Sequence, residues 1–143
     1  MLFTIGFTKK PAPEFFGLLR DAGVRRVLDV RLNRTSQLAG FAKEKDLRYF
    51  LAEIGGIDHV VVDALAPTSD LLDAYRSKSI GWPEYEEGYR ALLVERQVET
   101  LVSREMLEGG CLLCSEHTAE KCHRRVAAEY LAEHFEGLAV RHL

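Results

Sequence analysis

Short apolar runs that alternate with amphipathic helical stretches constrain this chain more than any other feature. Leu2-Phe3-Thr4-Ile5-Gly6 is a β-type run closed by a glycine, and residues 24–30 form a second in which Val27, Leu28 and Val30 surround Asp29. A third, 57–62, is uniformly apolar at Val60-Val61-Val62, which suits a strand covered on both faces. Residues 111–114 supply a fourth and 138–142 close the chain. Between the first two runs, a helix over 13–22 places Phe15, Phe16, Leu18, Leu19 and Ala22 on one face and stops at Gly23. A second helix carries Leu47, Phe50, Leu51 and Ile54 at i, i+3, i+4 and i+7 and ends at Gly55-Gly56. Such alternation predicts one α/β domain over 1–143, a three-layer sandwich with a mostly parallel, Rossmann-like sheet of about five strands.

Residues 64–81 carry a weaker pattern, with a short helix expected at 70–75. Pro83 suits the start of a helix, and 84–107 are helical in composition. A straight helix of that length would run about 36 Å at 1.5 Å per residue, so a break is expected near Gln97. The last helix is expected over 118–135. At 100° per residue Ala119, Val126, Ala127, Tyr130 and His134 make its inner stripe, with His123 at the centre, Cys122 and Arg124 on the flanks and Arg125 in solvent. By analogy with other doubly wound sheets, the expected strand order is third, second, first, fourth, fifth.

Composition narrows the classes. A chain of 143 residues, 47% of them apolar, can bury a real core, yet it holds no run able to span a bilayer, and with no signal-peptide pattern at Met1-Leu2-Phe3 no export is expected. A cytoplasmic protein without a membrane partner is expected. A net charge of −3 disfavours a nucleic-acid partner, which recognises phosphate through a basic surface, while leaving room for a local basic site. The three cysteines form an odd set and are expected to be reduced.

Chemistry in open α/β sheets gathers at the C-terminal ends of strands. The second run opens into a polar loop over 31–37, and the strand ends offer 6–8, 31–34, Asp63 and 115–117, with Gly6 and Thr8 in the first and Arg31 and Arg34 in the second. Cys114 closes its strand just before a turn and a helix, a position suited either to a nucleophile favoured by helical N–H groups or to a small core thiol. Cys111 and Cys114 fall three apart in a strand and so point to opposite faces, which weakens a redox pair. A zinc set of Cys114, His117, Cys122 and His123 lacks the usual paired spacing, so no metal ligand is assigned. His123 points inward, as a catalyst or as a hydrogen-bonded core group. Glu116 is a general acid or base, or the carboxylate that pairs Arg31. Arg31 and Arg34 suit bidentate capture of phosphate or carboxylate, against pairing with an acidic neighbour for the first and solvent exposure for the second. Trp82, Tyr85 and Tyr89 suit stacking on a ring, or core packing.

Several of these segments together resemble the bacterial and archaeal family called domain of unknown function 488: Thr4-Ile5-Gly6, Leu28-Asp29-Val30-Arg31, Gly40-Phe41-Ala42-Lys43, Trp82 with Tyr85-Glu86-Glu87-Gly88-Tyr89, Leu112-Leu113-Cys114-Ser115-Glu116, Cys122-His123-Arg124-Arg125 and Val140-Arg141-His142-Leu143. The chain departs from that pattern at Phe7 and at Ala64-Leu65-Ala66-Pro67. The resemblance implies a compact α/β domain of no settled activity and puts weight on Gly6, Arg31, Cys114, Glu116, Cys122, His123 and Arg124. A looser likeness to rhodanese and cysteine-phosphatase domains concerns layout alone, since Lys121 stands where the phosphatase loop carries arginine. The resulting expectation is an enzyme-like domain that binds an anionic small molecule, a nucleotide or phosphoester, with Cys114, Glu116 and His123 doing the chemistry and Gly6, Thr8, Arg31, Arg34 and Arg124 holding the ligand. The alternative is a non-catalytic anion- or nucleic-acid-binding module whose Cys-His pair is structural. Cofactor, substrate and oligomeric state are not assigned.

Overall fold

A computed structural model describes residues 1–35 and 39–143. Of the expected 31–37 loop, Ser36 and Gln37 lie outside the described residues. Five strands, β1 (Leu2–Gly6), β2 (Arg26–Asp29), β3 (Asp58–Val61), β4 (Gly110–Cys114) and β5 (Val140–His142), form one all-parallel sheet in the order β3-β2-β4-β1-β5. Among the described residues six helices accompany them: α1 (Ala12–Asp21), α2 (Glu44–Gly55), α3 (Ser69–Arg76), α4 (Trp82–Arg96), α5 (Arg104–Leu107) and α6 (His123–His134).

Helices cover both faces. On one, Phe15, Phe16 and Leu19 of α1 and Leu47 and Leu51 of α2 pack against Ile5, Val27, Cys111 and Leu113. On the other, Tyr89 and Leu93 of α4 and Val126, Ala127 and Leu131 of α6 pack against Leu28, Val30 and Leu112. Leu112 and Leu113 thus serve opposite cores, as strand alternation requires. Burying each of these large apolar side chains contributes roughly 1.5–3 kcal/mol.

The long helical stretch breaks at the expected place, because Gln97 adopts the left-handed conformation at φ 50° and the chain resumes as a 3-10 turn, Val98–Thr100, and then α5. Four expectations need correction. β4 lies between β1 and β2, so the first and second strands are not neighbours, although the first and fourth are. β3 is an edge strand with partly exposed residues, so its apolar run is not covered on both faces. Ile54, at the last turn of α2, is exposed, so the buried stripe of that helix is carried by Leu47 and Leu51. Finally α6 begins at His123 rather than near 118: residues 115–122 form a turn, Ala119 precedes the helix, and His134 at its far end is exposed.

Candidate active site

β4 has β1 on one side and β2 on the other, and both neighbours lead into helices on the face opposite to α6, which follows β4. Where adjacent strands send their chains to opposite faces, their ends part and leave a crevice. Two such crevices flank β4, and their fates differ.

The crevice toward β1 is filled. The Glu116 carbonyl packs so closely on Gly6 that a Cβ there would stand 1.5 Å from its oxygen. Thr8 N–H donates to the Ser115 carbonyl at 3.1 Å, and His117 Nδ1–H donates to the Thr8 carbonyl at 2.9 Å. Arg124, almost wholly buried, donates from Nη1 to the Glu116 carbonyl at 2.7 Å and from Nε to Thr4 Oγ1 at 3.4 Å. Gly6, Thr8 and Arg124 therefore brace the turn after β4.

The crevice toward β2 stays open as a cleft of about 600 Å3 counted out to its mouth. Cys114, Cys122 and His123 form its floor, Tyr75, Trp82 and Tyr85 one wall, and Arg31, Asn33, Arg76, Glu116 and Lys121 much of its rim. Of the residues expected in a site, Cys114, Glu116, His123 and Arg31 meet here. Arg34 lies in an adjoining recess with Glu44, paired to Asp63 at 3.2 Å.

On the floor, Cys114 Sγ stands 3.5 Å from His123 Nδ1. The other ring nitrogen, Nε2, is 2.9 Å from the Val30 carbonyl, which can only accept, so Nε2 carries a proton and donates it there. Tyr89 packs edge-on against the imidazole with centroids 5.3 Å apart, and its hydroxyl donates to the Leu65 carbonyl. The ring is thereby fixed with Nδ1 aimed at the sulfur. A hydrogen bond from the Cys122 thiol, opposed by burial and reinforced by His123 and Arg124, holds Cys114 well below the usual thiol range. Burial, and then the neighbouring Cys114 sulfur, pushes Cys122 up. Burial works against a charged His123, but the Cys114 sulfur and the Val30 carbonyl outweigh it and raise its pKa. Together these favour a thiolate on Cys114 facing an imidazolium. Cys111 is different: it lies under α1 and α2 on the opposite face, and burial alone drives it up.

Arg31 does not pair with Glu116, as had been one expectation. Its Nε and Nη2 form a bidentate pair with Asp29 at 2.8 and 2.7 Å, and Nη1 donates to the Ala42 carbonyl at 2.7 Å. His59 adds a contact to Asp29 at 2.9 Å. Asp29 and Arg31 lie two apart on an extended chain, hence on one side, and the exposed Glu116 carboxylate is no competitor. Arg125 is not simply in solvent either: it pairs with Glu129 and Glu86 and stacks over Trp82, 5.8 Å from its centroid. Trp82 and Tyr85 reach the cleft, whereas Tyr89 stays in the core.

Cys114, Cys122 and His123 are also the group, among the described residues, whose donor atoms all fall within 4.8 Å of one another, close enough to meet a metal ion. His117 stands apart from it on Thr8. Sequence reasoning missed Tyr75, Asn33, Arg76 and Lys121. Arg76 and Lys121 matter most, since neither side chain enters a hydrogen bond or ion pair among the described residues.

The model of the family described as "Domain of unknown function DUF488" matches residues 11–131, most of the chain. The chain belongs to the DUF488 family. Every cleft-floor residue of this DUF488 domain falls inside the matched span. Neither the curated proteins nor the solved structures supply a match. Among the described residues no helix is long and apolar enough to cross a membrane.

Proposed function

We propose that this domain is an enzyme in which Cys114 is the nucleophile and His123 its proton partner, acting on a small anionic molecule with a planar ring held in the cleft beside β4. The observation that carries this reading is the fixed imidazole: the Val30 carbonyl claims the Nε2 proton and leaves Nδ1 to Cys114. A third group orienting the base is the arrangement that activates thiol nucleophiles.

The walls support the substrate class. Tyr75, Trp82 and Tyr85 line one side with aromatic surface, and Arg76 and Lys121, whose side chains enter no hydrogen bond or ion pair among the described residues, offer positive charge at the mouth. A nucleotide or phosphoester has both features. Glu116, exposed at the rim, is placed to exchange a proton with a bound ligand. Arg31 borders the ligand while anchoring the loop after β2, and Gly6, Thr8, Arg34 and Arg124 act through the scaffold around it. The three free thiols suit a reducing compartment such as the cytoplasm.

Brief exposure of the native protein to iodoacetamide near neutral pH, below the ordinary thiol value of about 8.5, tests the assignment. Peptide mapping should find Cys114 labelled first, with Cys111 and Cys122 largely untouched. Labelling that spares Cys114 contradicts the reading.

A further inference from the structure

We infer that Cys122 is a resolving thiol for Cys114, so that the cleft carries out thiol-disulfide chemistry on a small anionic aromatic disulfide. The inference rests on Cys114 being the nucleophile and adds the class of bond it attacks. Both sulfurs line the same cleft and lie within 4.8 Å of each other. Cys122 is the residue just before α6, in extended backbone at φ −140° and ψ 140°, so its side chain can turn toward Cys114 without opening the helix. Cys111 is on the far face of the sheet and cannot take part.

A second thiol at this distance discriminates among nucleophilic chemistries. Were Cys114 to carry an acyl or phosphoryl group, attack by Cys122 would only move that group. Where it carries a sulfur-bound group, the same attack yields an internal disulfide and ends the reaction. In the first step the Cys114 thiolate bonds to one sulfur of R–S–S–R, the substrate S–S bond breaks and RS− departs. In the second, Cys122 sulfur bonds to Cys114 sulfur, the mixed disulfide breaks and the Cys122 proton leaves with the second thiolate as RSH. Both protein sulfurs are oxidised and the substrate is reduced to two thiols. An external dithiol, itself oxidised to a disulfide, returns the pair. The aromatic wall and the cations Arg76 and Lys121 select a planar, negatively charged R group.

Dithiobis(nitrobenzoate), an anionic aromatic disulfide, is the probe. Native protein should release two equivalents of thionitrobenzoate per chain in a fast phase and end with a Cys114–Cys122 disulfide, no retained adduct and a free Cys111. Cys122→Ser should release one equivalent quickly and keep the adduct on Cys114, and Cys114→Ser should lose the fast phase. Rapid release of one equivalent by the native protein, with a stable adduct on Cys114, overturns the resolving role but leaves the nucleophile standing. Absence of any fast reaction at Cys114 overturns both. Thiols that react only after a chelator removes a bound metal also overturn both, because the three donors would then be ligands.

Discussion

Cys114 Sγ faces His123 Nδ1 at 3.5 Å across the junction between the central strand and the last helix, and the opposite ring nitrogen is tied to the Val30 carbonyl of a neighbouring strand's end. The pair is thus held by three separate elements, and its chemistry depends on their register. Replacing His123 with Gln removes the imidazolium while keeping a polar side chain of similar reach. The Cys114 alkylation rate at neutral pH should fall severalfold, because the thiolate loses the imidazolium that faces it. Stopped labelling with mass readout measures it, and an unchanged rate would show that His123 is only packing.

Asp29 and Arg31 hold the loop that edges the cleft. Burial raises the Asp29 pKa, but hydrogen bonds from His59 and Arg31 outweigh that effect and the net shift is downward. A depressed carboxylate stabilises the fold above its unfolded value of about 3.9 and loses that contribution as pH falls through the lower folded value. Chemical denaturation of the parent and of Asp29→Asn, compared across pH, should accordingly show the Asp29 contribution constant from neutral pH down to about pH 5 and declining below about pH 4. Asp29→Asn leaves Arg31 buried and unpaired and should cost about 3–5 kcal/mol at pH 7.

Gly6 has no room for a side chain beneath the Glu116 carbonyl. Gly6→Ala must push the 115–117 turn outward, at a cost of about 1–3 kcal/mol from overpacking. Because that turn follows directly on Cys114 at the end of β4, thermal melting should drop and the Cys114 labelling rate should change with it. A variant as stable and as reactive as the parent would show that the turn is not braced there.

Arg76 and Lys121 should govern selectivity rather than intrinsic reactivity. Changing both to Ala should slow reaction with an anionic aromatic disulfide about three- to tenfold at low salt while leaving the rate with neutral iodoacetamide unchanged. Added salt should erase the difference, as expected for exposed charges. Parallel slowing of both probes would mean that the substitutions disturbed the floor.

The layering of the fold was legible because each element declares itself locally. Phe15 and Leu19, or Leu47 and Leu51, recur at helical spacing, and the alternation of Cys111, Leu112 and Leu113 assigns faces without any tertiary knowledge. His123 pointed inward for the same reason. Strand order was not legible, because nothing in the β4 sequence records that it inserts between β1 and β2. The start of α6 was misplaced because residues 115–122 are polar and compatible with a first helical turn, and this error hid Cys122, which as the residue before the helix turns to Cys114 instead of lying on a flank. The pairing of Arg31 with an acidic neighbour was legible, and the i to i+2 spacing of an extended chain singles out Asp29 as that neighbour. Tyr75 and Arg76 stand at the end of α3 and Lys121 in the turn before α6, far apart in the chain, and only the fold assembles them.

The most direct test of the nucleophile is the pH dependence of Cys114 alkylation in the native protein, followed at that residue by mass spectrometry. The account predicts a rate already near its plateau at neutral pH, with a midpoint well below the free-thiol value of about 8.5, and a midpoint that moves upward in His123→Gln. A midpoint at or above the free-thiol value, unchanged by loss of His123, would contradict it.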